Sequence, residues 1–584
     1  MSAVTDAILY LDLKEREYRV EREPELFKKY LGGSGVATEL LHINCPPKAD
    51  PLSHENPIIL VTGAFGGIYP SAGKTVAAFK SPLTNDLGES HAGGRLATSL
   101  RLAGYGAVVI EKGASNLSFI EITGDGVLFG DASPLKGVSS LEVERRIRGC
   151  EKAARIQSIM SIGQAGESLV SYSCVNVDRY NYFGRLGLGA VMGAKGVKAI
   201  SVVGDGQIRL PDPERYVDVF DEIFEAEIQT DMMAKYHFTG TPANVLPLNE
   251  MKALPTRNFR QGQFEFAEEI CGENLGERWL ERKVSCPMCP IGCMHVAKLR
   301  FPFATGYEYA SRDTYYNYES VYALGSNLGI ETAEGALQLI FRANHLGVDT
   351  MLMGNALGWA TEAFEKGAIG SGQTGGLTPT WGDVETYLEM MDRICNKSNE
   401  FYSTLAKGVE PAASVYGGGE YSMTLNGNGL AGYHTGYASV VGTIVGSRHS
   451  HNNNAGYSID QKELHREVDQ EKIVTYLIDE HEWRNVLTSL GVCLFARSIY
   501  TKKRVLEGLR AIGIEKTEEE LDEMGRKILD RAFEFKFREG FDFDEVKIPA
   551  RLFESPTANG LLDEKVLRNM LKAYVDRRFP PVPS

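Results

Sequence analysis

The hydrophobic pattern divides the chain into two regimes. In the first third, short apolar runs bounded by glycine predict buried strands: Pro57-Ile-Ile-Leu-Val-Thr62, Gly106-Ala-Val-Val-Ile-Glu111 and Lys198-Ala-Ile-Ser-Val-Val203. The stretch from Met1 to Lys14 alternates apolar and polar residues and predicts a further strand. The prolines of Leu210-Pro-Asp-Pro-Glu214 mark a boundary, after which the period becomes helical. Tyr216–Met233, Glu331–His345 and Thr350–Lys366 read as helices, and the last two stop at Gly347 and Gly367. Thr517-Glu-Glu-Glu520 opens another helix with a capping box, and Leu521, Met524, Ile528, Leu529 and Ala532 form its apolar stripe. Asp563–Phe579 is a last amphipathic helix, and a second boundary falls near Gly417-Gly-Gly. The expected fold class is α+β, with a β-rich domain at 1–209 and mainly helical domains at 210–410 and 411–584. The sequence contains no internal repeat.

Between the strands lie five loops of small residues: Leu31-Gly-Gly-Ser-Gly35, Gly63-Ala-Phe-Gly-Gly67, His91-Ala-Gly-Gly94, Ile162-Gly-Gln-Ala-Gly-Glu167 and Gly184-Arg-Leu-Gly-Leu-Gly-Ala190. Glycine at this density lets backbone N–H and C=O groups approach a bulky ligand, and predicts a large, polar, phosphate-bearing one. The loops lack the strand–GxGxxG–helix order of a nicotinamide site and the GxxxxGK[ST] of a P-loop.

The chemistry is concentrated in Cys286-Pro-Met-Cys289-Pro-Ile-Gly-Cys293. Three thiols in eight residues, stiffened by two prolines, suit an iron–sulfur cluster better than zinc, because a cubane takes three ligands from one loop and a fourth from afar. The candidate fourth is Cys493, in small-residue surroundings; a zinc knuckle or buried thiols are the alternatives. The nine cysteines are too few for a disulfide scaffold. A formal charge of −15 argues against nucleic acid and anionic membrane as partners. No signal peptide or membrane-length apolar run is evident, so a cytoplasmic location is expected.

In this order the pieces resemble the tungsten-containing aldehyde:ferredoxin oxidoreductase family. The resemblance runs through Leu31-Gly-Gly-Ser-Gly35, Lys80-Ser-Pro-Leu-Thr84, Ile162–Glu167, Gly184–Ile200, Leu254-Pro-Thr-Arg-Asn-Phe259, the cysteine loop, Gly347-Val-Asp-Thr350 and Leu490-Gly-Val-Cys493. It implies a β-rich base cradling tungsten or molybdenum on two pterins, with a 4Fe-4S cluster beside one of them. By position, Cys286, Cys289, Cys293 and Cys493 match the cluster ligands. His91, Ala92, Gly93, Gly94, Gly184 and Arg185 match loops that bind the pterin phosphates and their bridging magnesium. Lys74 stands where relatives carry arginine, which forgoes a bidentate fork. Asp349 matches a pterin-binding aspartate and also suits an N-cap for the following helix. Thr488 replaces the second such aspartate and brings no charge. Glu319 matches a glutamate near the metal that can act as general base, and His451 a histidine that can bond the substrate oxygen, with His449 as the fallback. The Glu-x-x-His motif through which a metal joins two subunits in some relatives is not found in the matching region, where Glu331 and Glu334 occur without a partner histidine, so a metal-bridged dimer is not expected and homo- or hetero-oligomerisation stays open.

The expected activity is oxidation of a small aldehyde to a carboxylic acid, with electrons leaving through the cluster to ferredoxin or an iron–sulfur subunit. The alternatives are a class II benzoyl-CoA reductase-type catalytic subunit and a non-enzymatic cluster scaffold. The former expects a metal-binding cysteine soon after the cluster loop, and none lies between Cys293 and Cys395.

Overall fold

A computed structural model describes residues 5–149, 156–304 and 308–580. Its N-terminal region contains two six-stranded sheets. The first comprises β1 (Ala7–Asp12), β2 (Glu17–Arg22), β3 (Ile58–Thr62), β4 (Thr75–Lys80), β5 (Leu87–Ala92) and β6 (Ala107–Glu111), in the order β2-β1-β6-β3-β4-β5. The second comprises β7 (Ser118–Thr123), β8 (Gly126–Asp131), β9 (Ile156–Ile162), β10 (Val175–Val177), β11 (Asn181–Phe183) and β12 (Val197–Gly204), in the order β11-β10-β9-β12-β7-β8. Taken from its other edge, the second sheet repeats the first strand for strand. The senses repeat too. β1 is parallel to β6 and β7 to β12, while the other pairs are antiparallel. Each copy also places one short helix before its sixth strand, Leu96–Leu102 in the first and Leu188–Ala194 in the second.

This duplication is absent from the sequence because a buried strand demands only apolar residues, not particular ones. Of the four expected strands, three are β3, β6 and β12, and the one expected over Met1–Lys14 is β1, with residues 1–4 outside the described residues. Residues Ile58–Thr62 and Val197–Gly204 are buried throughout, which is why they read as unbroken apolar runs. In the first sheet the alternation serves two cores. Leu9, Leu11, Ile58 and Leu60 pack with Ile120, Met160 and Ile200 of the second sheet. Ile8, Tyr10, Ile59 and Val61 face the opposite way, onto Val486, Leu509 and Ile528 of the C-terminal helices. The edge strands β5 and β11 lie against each other.

Beyond Pro213 helices dominate. Pro213–Ile228 is capped by Asp212, and it ends before Met233 because a separate turn, Asp231–Met233, and a π-helical segment, Ala234–Thr239, follow. Ala333–Leu346 starts at the Thr332 cap and stops at left-handed Gly347; Thr350–Glu365 is capped by Asp349. Glu518–Glu539 carries the expected Thr517–Glu520 capping box. The helical regions also contain an antiparallel sheet the sequence did not announce, Leu280–Val284, Met294–Ala304 and Glu308–Tyr316. The cysteine loop joins its first two strands. The largest apolar core runs on across the expected boundary near 410, from Leu254 and Trp359 to Val441 and Tyr574. Among the described residues no helix is long and apolar enough to cross a membrane.

Candidate functional site

A cavity of about 340 Å³ opens where the two sheet copies meet. The first copy contributes Lys74, Glu89, His91 and Gly93, and the second Asn181, Gly184 and Arg185. The phosphate-loop candidates of the two copies thus sit at equivalent places, each between the edge strand and the short helix. The helical region closes the cavity with Glu319, Asn344, Asp349, Arg448, His451 and Cys493.

Asp349 and Cys493 arrive by the same device. Each ends a Leu-Gly-Val-x run, Leu346-Gly-Val-Asp349 and Leu490-Gly-Val-Cys493. The two glycines have φ of +79° and +80°, a backbone shape that disfavours side chains. The second run is held by the β3–β4 loop: Phe65 N donates to Leu490 O at 2.9 Å, Lys74 N to Gly491 O at 3.0 Å, and Cys493 N to Ser71 O at 2.8 Å. The first run is held by the β9–β10 loop: Cys174 N donates to Gly347 O and Asp349 N to Tyr172 O, both at 2.9 Å. Backbone meets backbone at Gly63 and Gly163, where a Cβ would come within 2.0 Å of Gly491 N and 2.4 Å of Leu346 O.

The same loops gather the cysteines. Gly94 N donates to Cys286 Sγ at 3.3 Å, and Ser71 Oγ to Cys289 Sγ at 3.1 Å. A Cβ on Gly93 would stand 2.7 Å from Cys286 Sγ, so only glycine admits the thiol there. The thiols of Cys286, Cys289, Cys293 and Cys493 are partly exposed and form no disulfide. Burial pushes the Cys289 thiol up to about 12, and burial with mutual repulsion raises Cys286 and Cys293 too. Lys74 stands among them. Burial opposes its charge, but Cys493, Cys286, Cys293 and Cys289 outweigh that and raise its pKa. No three His, Cys, Asp or Glu side chains among the described residues are grouped to hold a single metal ion.

The cavity walls carry four contacts between ionisable groups, the longest of them Arg448 Nε to Glu89 Oε1 at 3.9 Å. Arg185 Nε lies 3.4 Å from Asp349 Oδ2, and its Nη2 donates to Asn428 Oδ1 at 2.7 Å. Asp349 also caps its helix, accepting from Met351 N at 2.9 Å; burial raises its pKa against the pull of Arg185. His91 Nε2 lies 2.7 Å from Glu89 Oε1. Burial lowers His91 to about 4. Glu89, despite its burial, is held at about 2 by hydrogen bonds from His91 and Ser34 and by the charge of Arg448. The ring is therefore neutral and donates its Nε2–H to the carboxylate. The third contact is His451 Nε2 to Glu319 Oε1, at 3.5 Å. Burial lowers the His451 pKa, its Nδ1 has no hydrogen-bond partner, and its ring lies against Tyr433 and Tyr457.

The remaining expected residues lie outside the cavity lining. Ala92 ends β5, where it pairs with Thr75, and Gly94 follows Gly93 in the loop to the Leu96–Leu102 helix. Thr488 accepts from Ser34 Oγ at 2.8 Å, and Ser34 reaches Glu89. His449 is fully buried elsewhere, its Nε2 2.9 Å from both Lys536 Nζ and Asn426 Nδ2. Four residues were missed. Glu89 precedes His91 by two on one strand face, a signal present in the sequence. Asn344 precedes Asp349 by five, as Thr488 precedes Cys493. Arg448 opens the His-Ser-His run, and Ser71 had no signal at all.

Comparison with known proteins agrees with this architecture. The sequence profile of the aldehyde ferredoxin oxidoreductase N-terminal domain matches residues 8–204, and that of domains 2 and 3 matches residues 219–578. Tungsten-containing aldehyde ferredoxin oxidoreductases of Pyrococcus furiosus and Thermococcus kodakarensis are each 32% identical to this chain. The first alignment covers 94% of this chain and 90% of the relative, the second 98% and 95%. The solved active-site complex BamBC of benzoyl coenzyme A reductase, bound to 1,5-dienoyl-CoA, matches with a TM-score of 0.83 at 20% identity, over 99% of this chain and 94% of that one, a likeness of fold. The two profile matches, which span nearly the whole chain, and the 32% identical relatives place this oxidoreductase in the aldehyde ferredoxin oxidoreductase family.

Proposed function

We propose that this protein oxidises an aldehyde, with water, to a carboxylic acid and releases the electrons one at a time to ferredoxin or an iron–sulfur partner subunit. The observation that carries this reading is the pairing of Glu319 with His451, 3.5 Å apart on the wall of the cavity that Cys493 and Asp349 also line. Glu319 is a carboxylate with access to the cavity, its side chain 26% exposed. It takes the proton of the attacking water at Oε1. His451, kept neutral by burial, has a single ring N–H; carried on Nε2, it points to Glu319 in the free site and is given to the carbonyl oxygen of the substrate when that binds.

The residues suit the family's cofactors. A 4Fe-4S cluster would be held by Cys286, Cys289, Cys293 and Cys493. Four partly exposed thiols around one lysine, free of disulfides, fit a metal–sulfide core, and a multi-iron core spreads its ligands wider than one ion does. The tungsten bis-pterin would be held by Lys74, Asn344, Asp349 and Arg185, with the 91–94 and 184–185 loops at the phosphates and magnesium. This group supplies the two-electron redox chemistry when bound. The glycine-only approaches at Gly63 and Gly163 seat the runs that end in Cys493 and Asp349, and Gly93 leaves room for the Cys286 thiol.

The test is an anaerobic assay of metal-loaded protein with a viologen dye, offering aliphatic aldehydes, aromatic aldehydes and aryl-CoA thioesters in turn. Aldehyde-dependent dye reduction is expected. Turnover of thioesters alone would replace this reading with that of a benzoyl-CoA reductase-type subunit.

A further inference from the structure

Behind the cysteine loop is a buried acid that the reaction above does not use. Glu227, in the last turn of Pro213–Ile228, is 0% exposed. Its Oε1 is hydrogen-bonded to Ser71 Oγ, and its Oε2 has no partner. It forms no ion pair among the described residues. Ser71, Cys289 and the Tyr500 hydroxyl face it, and Arg504 on the adjacent helix is engaged with Glu222 at 2.8 Å. Burial lifts its pKa to about 7, and the helix C-terminus also disfavours its charge.

Ser71 is pinned between this acid and the cysteines. Its φ is +50°, a strained value for a residue with a side chain. Its carbonyl accepts from Cys493 N, and its hydroxyl lies 3.1 Å from Cys289 Sγ as well as on Glu227. A hydroxyl has a single proton, and the carboxylate and the sulfur compete for it. With Glu227 ionised, the proton goes to the carboxylate. With Glu227 protonated on Oε1, the carboxyl donates to Ser71 Oγ, and the hydroxyl is free to donate to sulfur.

We propose that Glu227 and Ser71 form a proton-coupled switch on the iron–sulfur cluster, in which Glu227 gains a proton as the cluster gains an electron and Ser71 then turns its hydroxyl to Cys289. This rests on the cluster assignment proposed above. The balance is simple. One electron, taken from the aldehyde, enters the cluster, and one solvent proton forms an O–H bond on Glu227. Both leave when the iron–sulfur electron carrier reoxidises the cluster. Added negative charge beside Glu227 favours its acid form, and a donor to a ligand sulfur favours the reduced cluster, so each event promotes the other. Glu227 and Ser71 are positioning residues and touch neither substrate nor cavity.

The test is a potentiometric titration of the cluster in the loaded protein, followed by electron paramagnetic resonance, across the pH range that brackets Glu227. The midpoint potential is expected to fall as pH rises. Glu227→Gln, whose amide keeps donating to Ser71, should flatten that dependence at the acid-limit value, and Ser71→Ala should lower the potential throughout. Redox-difference infrared spectroscopy of the unaltered protein should show a carboxylic C=O band appearing on reduction, which covers the case that a variant loses iron. A pH-independent potential, an unchanged slope in Glu227→Gln, or no carboxylic band would overturn the switch while leaving aldehyde oxidation intact. Protein that binds no iron would instead remove the cluster reading on which it stands.

Discussion

The pair Glu319–His451 carries the sharpest residue-scale consequences. Glu319→Gln should lower aldehyde-dependent dye reduction by about 100-fold or more with tungsten and iron retained, the usual size of a lost general base. Full activity in that variant would end the assignment. His451→Asn should lower the same rate while sparing the thermal midpoint. His449→Asn should do the reverse and cost about 1–3 kcal/mol of stability, because Lys536 and Asn426 lose a buried partner. A denaturant titration of the two variants separates these outcomes. Both histidines stand in an irregular loop with no period of 2 or 3.6, so nothing in the sequence says which ring faces the cavity. Glu89 was different. Its spacing from His91 on a strand put both on one face, and the pair was legible to anyone who asked what shares that face.

At the scale of elements, the Leu-Gly-Val runs explain how residues far apart in the chain share one site. Gly63→Ala would drive a methyl into the Gly491 backbone, which cannot yield as a side chain can. The expected result is a protein destabilised by about 1–3 kcal/mol that binds less iron, measured by calorimetry and metal analysis. The Leu254–Phe259 segment is a second such device. Arg257, Asn258 and Phe259 all have φ between +46° and +60°, strain held in place because Asn258 Nδ2 donates to buried Glu362 at 2.9 Å and Arg551 grips the same carboxylate. Removing that grip with Arg551→Ala should cost about 1–3 kcal/mol, the usual loss for a hydrogen bond to a charged group, since Arg260 at 3.5 Å and Lys366 at 3.2 Å still pair with the carboxylate. The helices and their caps were legible because capping residues and apolar spacing agree locally. The hairpin around the cysteine loop was not. Its first strand, Leu280–Val284, is charged and partly exposed, and its pairing partner lies beyond the loop.

At the scale of the molecule, the fold class was readable from the change of period near residue 210, while the doubling of the sheet was not, since topology is a property of pairing and not of composition. The cores that bind the halves together also set a pH limit. His481 and His295 are fully buried, and burial holds them at about 3 and about 4. In the unfolded chain both take up protons near pH 6.5. The unfolded state therefore binds more protons than the native one as pH falls below that value, and stability drops until the native pKa values are reached. The thermal midpoint should be lower at pH 5 than at pH 7, and His481→Gln should weaken that dependence. A midpoint independent of pH would show that neither ring is held neutral. The hydrogen bonds that the Leu490–Cys493 run exchanges with Ser71 and Lys74 have a further meaning for biogenesis. A ribosome-bound fragment ending before residue 490 has the three-thiol loop but lacks its distant companion and the hinge that seats it. On the proposed ligand set, iron insertion must await the emergence of nearly the whole polypeptide, so a loaded centre certifies that both ends of the protein have met.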